Sequence, residues 1–223
     1  MIAFFFLSAL LPTLDSEFEE WEEFQTVEET YEEFIGESLI GSKEWTEYLQ
    51  ELDPHIDPEP IDPNWNILFE RYIKKKSVVI DYGAKSGDQT LAFSQLVGKD
   101  GKVFSFEPKP ELFRGLFWNL IRSNVQNVLI FCPEAEEQID FLELEDVSLI
   151  RIDANGRENL ILKGAEKTIQ RCKPVLILNM LGGIAIERGD RFIKQEMDRR
   201  ISDIRKMGYN LQRIEGSWYL GLP

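Results

Sequence analysis

The sequence predicts an α/β fold: a mostly parallel sheet covered by helices, a C-terminal antiparallel hairpin, and an acidic helical N-terminal extension. Three observations carry this. From about Pro63 onward, short apolar runs alternate with amphipathic stretches, the signature of βαβ units. The runs are largely apolar along their length, as strands buried on both faces must be. The chain ends in two strand-like runs, YNLQRI and SWYLGL, which flank Glu215-Gly216 as a hairpin would.

The elements follow in order. Residues 2–11 are apolar apart from Ser8, and Pro12 ends the run. Such a stretch is too short for a helix to span a bilayer. It suits the h-region of a secretory signal, but no Lys or Arg precedes it and no A-x-A site follows. The expectation is a cytoplasmic protein, with export or membrane association through residues 2–11 as the alternative. Residues 1–14 are treated as a segment apart.

From Asp15 to Leu52 the pattern is helical: Phe18, Trp21, Phe24, Val27, Tyr31 and Phe34 recur at spacings of three and four. DPHIDPEPIDP then places four prolines in eleven residues, which no helix accommodates. This marks an extended linker to about Pro63, so residues 15–62 form the arm and linker and 63–223 the folded domain. His55 in the linker reads as a solvent-facing side chain. Within the domain, strands are expected at 77–82, 102–106, 128–132, 148–152 and 174–180. Helices are expected at 88–97, 111–123, 158–171 and 191–207.

Charge is unevenly spread. The segment 15–62 holds 18 acidic residues against Lys43 alone, a net of −17, which leaves +2 for the rest of a chain whose total is −15. An arm of that sign repels phosphate and argues against nucleic acid as a partner. It offers a surface to a basic protein or to a second copy of the chain. Two cysteines, Cys132 and Cys172, make no disulfide framework, and the absence of any Cys/His grouping leaves no zinc or other metal site.

The chemistry is concentrated at strand ends. VVIDYGAKSGDQT, from Val78 to Thr90, leads a strand into a turn with glycines four apart. In open α/β sheets the ligand sits beyond the strands' carboxyl ends. Gly83 and Gly87, around Ala84, leave the main chain open to close approach. The turn carries neither GxGxxG nor GxxxxGK[ST]. Asp88 at the helix start also puts a negative charge where a diphosphate would sit. A neutral or cationic ligand fits better. Glu107, before Pro108, lies 20 residues after Gly87 at the tip of the next strand, where a carboxylate can accept two hydrogen bonds from a ribose diol. Asp81 can meet an amino group or cation. S-adenosylmethionine offers that set: an ammonium, a sulfonium and a ribose diol.

VVIDYGAKSGDQTLA, GKVFSFEPKPELF and LIRIDANGRENLILKGAEKTI, in that order, resemble the FkbM-type methyltransferases over about residues 77–180. The resemblance implies a Rossmann-like methyltransferase fold, S-adenosylmethionine as cofactor, and O-methylation of a small polar acceptor such as a sugar hydroxyl. It implies cofactor positions at Asp81, Gly83, Gly87 and Glu107; Ala84, Asp88 and Pro108 beside them complete the candidate cofactor site. It also implies an active-site signature at Asp153, Asn155, Gly156 and Glu158. Two positions depart from the family pattern: Lys85 stands where it usually has Asn, and Asn155 where it usually has Glu. The connection between Cys132 and Ser148 is shorter than usual.

Asp153 is the candidate general base or acceptor-orienting group, assisted by Glu158, while Asn155 can hydrogen-bond an acceptor but cannot take its proton. A helix-capping role for Asp153 and a first-turn role for Glu158 stand beside these. The alternative function is a degenerate methyltransferase-fold protein that binds the cofactor or a protein partner.

Overall fold

A computed structural model of the chain describes residues 61–132, 139–154, 156–180 and 191–223. The apolar start, the acidic arm, His55, nearly all of the linker and Asn155 lie outside the described residues.

The first described element is α1 (Pro63–Tyr72). Asp62 caps it, accepting from the Asn64 amide at 2.8 Å, and Pro63 takes the first-turn position where its missing N–H costs nothing. The sequence reading ended the linker here and missed the helix, because the proline that starts it looks like the last of a proline run.

The domain continues as β1 (Val78–Tyr82), α2 (Asp88–Val97), β2 (Lys102–Phe106), α3 (Pro110–Arg122) and β3 (Val128–Phe131). A 3-10 turn (Ile139–Leu142) leads to β4 (Val147–Ile152), α4 (Glu158–Gly164) and α5 (Glu166–Cys172). Then come β5 (Val175–Asn179), α6 (Arg191–Lys206), β6 (Asn210–Glu215) and β7 (Trp218–Leu222). The single helix expected at 158–171 is two, meeting at Ala165, whose backbone (φ −114°, ψ 7°) leaves the helical region. The apolar period runs on through the break, so the pattern alone does not reveal it.

The seven strands form one sheet in the order β3-β2-β1-β4-β5-β7-β6. β1 to β5 pair in parallel; β7 is antiparallel to both β5 and β6. The expected mostly parallel sheet with a terminal antiparallel hairpin is therefore observed. The chain moves outward from β1 to β3, then returns to place β4 on β1's other side. That reversal opens a crevice between the carboxyl ends of β1 and β4, where such sheets bind ligands.

Strand alternation separates two faces. Ile80, Tyr82, Phe104, Phe106, Ile150, Ile152, Leu176 and Leu178 join the core built with Ile161, Ile169, Met197 and Ile204. On the other face, Phe69 of α1 meets Phe93 of α2 edge-on at 4.7 Å, and Trp65 meets Trp218 at 5.0 Å. That second face also carries the buried polar residues Asp81, Ser105, Arg151 and Asn179. Among the described residues no helix is long and apolar enough to cross a membrane.

Candidate functional site

The turn after β1 is tied to both neighbouring strands. The amides of Gly83 and Ala84 donate to the Phe106 carbonyl at 2.8 and 3.1 Å, and the Asp153 amide donates to the Tyr82 carbonyl at 2.8 Å. Three strand tips are thus fixed in one cluster. Gly83 has φ +79°, and a Cβ there would lie 2.1 Å from the Asp153 carbonyl oxygen. Gly87 has φ +94°, and its Cβ would lie 2.6 Å from Leu116 Cδ1. The sequence reading gave this bare backbone to a ligand. In the structure the chain itself occupies the space: the missing side chains let β4 and α3 close against the turn. Ala84 is fully buried, and Asp88 sits half-buried at the start of α2.

Glu107 follows β2, only 3% exposed. Its Oε2 accepts the Lys85 amide at 2.8 Å and its Oε1 the Lys109 amide at 2.9 Å. Pro108, half-buried, stands between Glu107 and Lys109 in the chain. Burial pushes the Glu107 carboxyl above its ordinary value, against the pull of the two amides. Burial likewise raises Asp88. A carboxylate has about four acceptor directions, so one remains on each Glu107 oxygen. Two acceptors on one rigid carboxylate suit a vicinal diol.

Asp81 is fully buried. Its Oδ2 accepts from Thr90 Oγ1 at 2.6 Å and its Oδ1 from Arg151 Nη1 at 2.7 Å. The cation expected on Asp81 is thus the chain's own Arg151. That guanidinium also reaches the Gly83 carbonyl at 3.3 Å and Asp153 Oδ2 at 3.3 Å, and it lies over the Trp218 ring at 5.2 Å.

Asp153 is held from three sides. Its Oδ1 accepts from Asn179 Nδ2 at 2.7 Å; its Oδ2 takes Lys85 Nζ at 2.8 Å besides Arg151. Burial raises its carboxyl, but Arg151, Lys85 and Asn179 together outweigh burial and leave it below the ordinary value. Asn179 is itself held by Ser217 Oγ at 2.5 Å.

Glu158 is fully buried at the start of α4. Its Oε1 accepts the Gly156 amide at 2.8 Å and its Oε2 takes Arg200 Nη1 at 2.8 Å. Arg200 Nη2 also donates to the Gly156 carbonyl at 2.8 Å, so Glu158 and Arg200 together tie Gly156 to α6. Asn155 lies outside the described residues.

The structure thus brings Asp81, Gly83, Glu107 and Asp153 together around the β1/β4 crevice, while Glu158 faces α6. Sequence reasoning missed Arg151, Asn179, Trp218 and Arg200. Arg151 had a signal: an arginine inside LIRI, a strand buried at every position, has to find a buried counter-ion. Among the described residues no group of side chains could hold a metal ion.

Two methyltransferase family models cover the described domain in succession. Residues 65–138 match the protein-L-isoaspartate(D-aspartate) O-methyltransferase family. Residues 135–211 match the methyltransferase FkbM domain. Both halves of the described domain are therefore similar to methyltransferases. It is 26% identical over 136 residues to a protein of Sulfurisphaera tokodaii named "Probable cobalt-precorrin-6B C(15)-methyltransferase (decarboxylating)". That alignment takes in 61% of this chain and 64% of the relative, so the chain spans just under two thirds of that protein's length.

Two solved structures share the fold. A SAM-dependent O-methyltransferase from Thermotoga maritima matches at TM-score 0.53 and 17% identity, over 78% of this chain and 69% of its own. Fibrillarin from Aeropyrum pernix, in complex with natively bound S-adenosyl-L-methionine, matches at TM-score 0.52 and 14% identity, over 71% of this chain and 72% of its own. S-adenosylmethionine is the cofactor named for both of these structures. The residues present fit it: Glu107 keeps an acceptor direction on each oxygen, and the turn carries no phosphate-binding motif.

Proposed function

We propose that this chain is an S-adenosylmethionine-dependent methyltransferase that O-methylates a small polar acceptor such as a sugar hydroxyl. The observation that carries the reading is Glu107. A buried carboxylate at the tip of β2, with one acceptor direction left on each oxygen, stands beside the crevice where strand order reverses. The cofactor supplies a methyl group on a sulfonium, whose leaving sulfur already carries positive charge.

The chain's contribution is alignment. Glu107 holds the ribose. The turn 83–87, hydrogen-bonded to the Phe106 carbonyl, and the Asp153 tip, hydrogen-bonded to the Tyr82 carbonyl, set the floor of the crevice. Asp153 acts by orienting the acceptor rather than by taking its proton. Its carboxyl is held low by three donors, and a carboxylate so engaged is a weak base. Glu158 supports the turn from below through Gly156 and Arg200.

The pairing of Asp153 and Glu158 favours a second reading. Both candidate bases are already paired within the chain, as they would be in a methyltransferase-fold protein that keeps its cofactor site and has lost turnover. Calorimetric titration with S-adenosylmethionine, S-adenosylhomocysteine and NAD, followed by release of S-adenosylhomocysteine over a panel of sugars, tests the two. Binding of the first two with release on one acceptor class supports the enzyme. Binding without release on any acceptor supports the degenerate reading. Binding of none, or of NAD alone, overturns both.

A further inference from the structure

Lys85 is the position where the turn departs from its family pattern, and its placement gives it a use. Its backbone adopts φ +53°, a left-handed conformation uncommon for a lysine. Its amide is spent on Glu107. Its ammonium sits 2.8 Å from Asp153 Oδ2. Four charged side chains therefore lie in a row on the crevice floor: Asp81, Arg151, Asp153 and Lys85.

Two are anions and two cations, so the row is neutral as a whole, but exposure is not shared. The side chains of Asp81, Arg151 and Asp153 are 0%, 3% and 2% exposed, and that of Lys85 is 50% exposed. The end of the row that meets solvent is positive. Three of about four acceptor directions on Asp153 are taken, all by donors of the chain: Asn179 holds one oxygen, Arg151 and Lys85 the other. Lys85 does have capacity. An ammonium has three donors, and among the described residues Nζ has the single partner Asp153.

We propose that Lys85 is a specificity-determining residue that binds the carboxylate of the cofactor's amino-acid end. The inference deepens the cofactor reading above and rests on it. An ammonium fixed at its base by Asp153 and open at its tip is pre-organised for a carboxylate, and the pair forms where water is partly excluded. The turn thus reads the amino-acid end through Lys85 and the ribose through Glu107, from adjoining strand tips.

The test compares affinities by calorimetry for S-adenosylhomocysteine, its decarboxylated analogue, and 5′-methylthioadenosine, which lacks the amino-acid end. The wild-type protein is expected to prefer S-adenosylhomocysteine over the decarboxylated analogue by about tenfold or more, as a charge-assisted hydrogen bond predicts. Lys85→Met, which keeps most of the unbranched stem and removes the charge, should abolish that preference while leaving the affinity for 5′-methylthioadenosine unchanged. Lys85→Arg should keep it.

If Lys85→Met retains the preference, or binds S-adenosylhomocysteine more tightly than the wild type, the proposal is overturned. If the wild-type protein binds none of the three nucleosides, the cofactor reading falls as well. Circular dichroism of both variants separates a lost ligand contact from a lost fold, since Lys85→Arg keeps the charge in the same backbone position.

Discussion

Replacing Arg151 with Met removes the one cation that touches both Asp81 and Asp153. The guanidinium is 2.7 Å from Asp81 and 3.3 Å from Asp153, with side-chain exposures of 3%, 0% and 2% for the three residues. Among the described residues, Asp153 would keep Lys85 and Asn179, and Asp81 only Thr90 Oγ1. A fully buried carboxylate stripped of its counter-ion costs about 3–5 kcal/mol, because its desolvation is no longer offset. The cation–π contact with Trp218 adds a smaller loss.

In a domain of this size each kcal/mol lowers Tm by about 2–4 °C, so the variant should melt about 6–20 °C below the wild type. Urea unfolding followed by circular dichroism measures it, with the slope checked for constancy. Adding Asp81→Asn to Arg151→Met removes the orphaned charge and should restore part of the loss. A single-variant loss below about 1 kcal/mol, the size of a solvent-exposed ion pair, would refute the reasoning. So would a double variant less stable than the single one.

Three further outcomes follow from the same geometry. Gly83→Ala would place a Cβ 2.1 Å from the Asp153 carbonyl oxygen at a backbone angle of +79°; it should destabilise the domain by about 2 kcal/mol or more in urea unfolding. Glu107→Gln replaces one carboxylate oxygen by an NH2 group that cannot accept from the Lys85 or Lys109 amide; its affinity for S-adenosylhomocysteine should fall by about tenfold or more in calorimetry. Stability should also respond to pH in opposite senses at two carboxyls. Asp153 sits below its ordinary 3.8, so its contribution is present above 3.8 and lost as pH falls through its folded value. Glu107 sits above its ordinary 4.5, so it opposes folding at neutral pH and ceases to as pH falls toward 4.5. Relative to the wild type, Asp153→Asn should cost less stability below 3.8 than at neutral pH, measured by urea unfolding across that range.

Much of the fold was legible because its strands are continuous apolar runs, and β1 through β5 fall where those runs lie. What escaped the sequence has identifiable causes. α1 was hidden because Pro63 both ends a proline-rich stretch and starts a helix. The break at Ala165 was hidden because side-chain period does not register a single residue leaving helical geometry. At the site, Glu107 was legible as an isolated carboxylate at a strand tip. Asp81 and Glu158 were legible as acidic positions but not as satisfied ones, because their partners Arg151 and Arg200 lie 70 and 42 residues away in the chain. The glycines were legible as positions without side chains, yet only the packed structure shows that β4 and α3 fill the space.

A crystal of the protein soaked with S-adenosylhomocysteine should show the nucleoside in the crevice between β1 and β4, with its two ribose hydroxyls within hydrogen-bonding distance of the Glu107 carboxylate. An empty crevice, or a nucleoside bound with its ribose away from Glu107, would contradict this reading of Glu107.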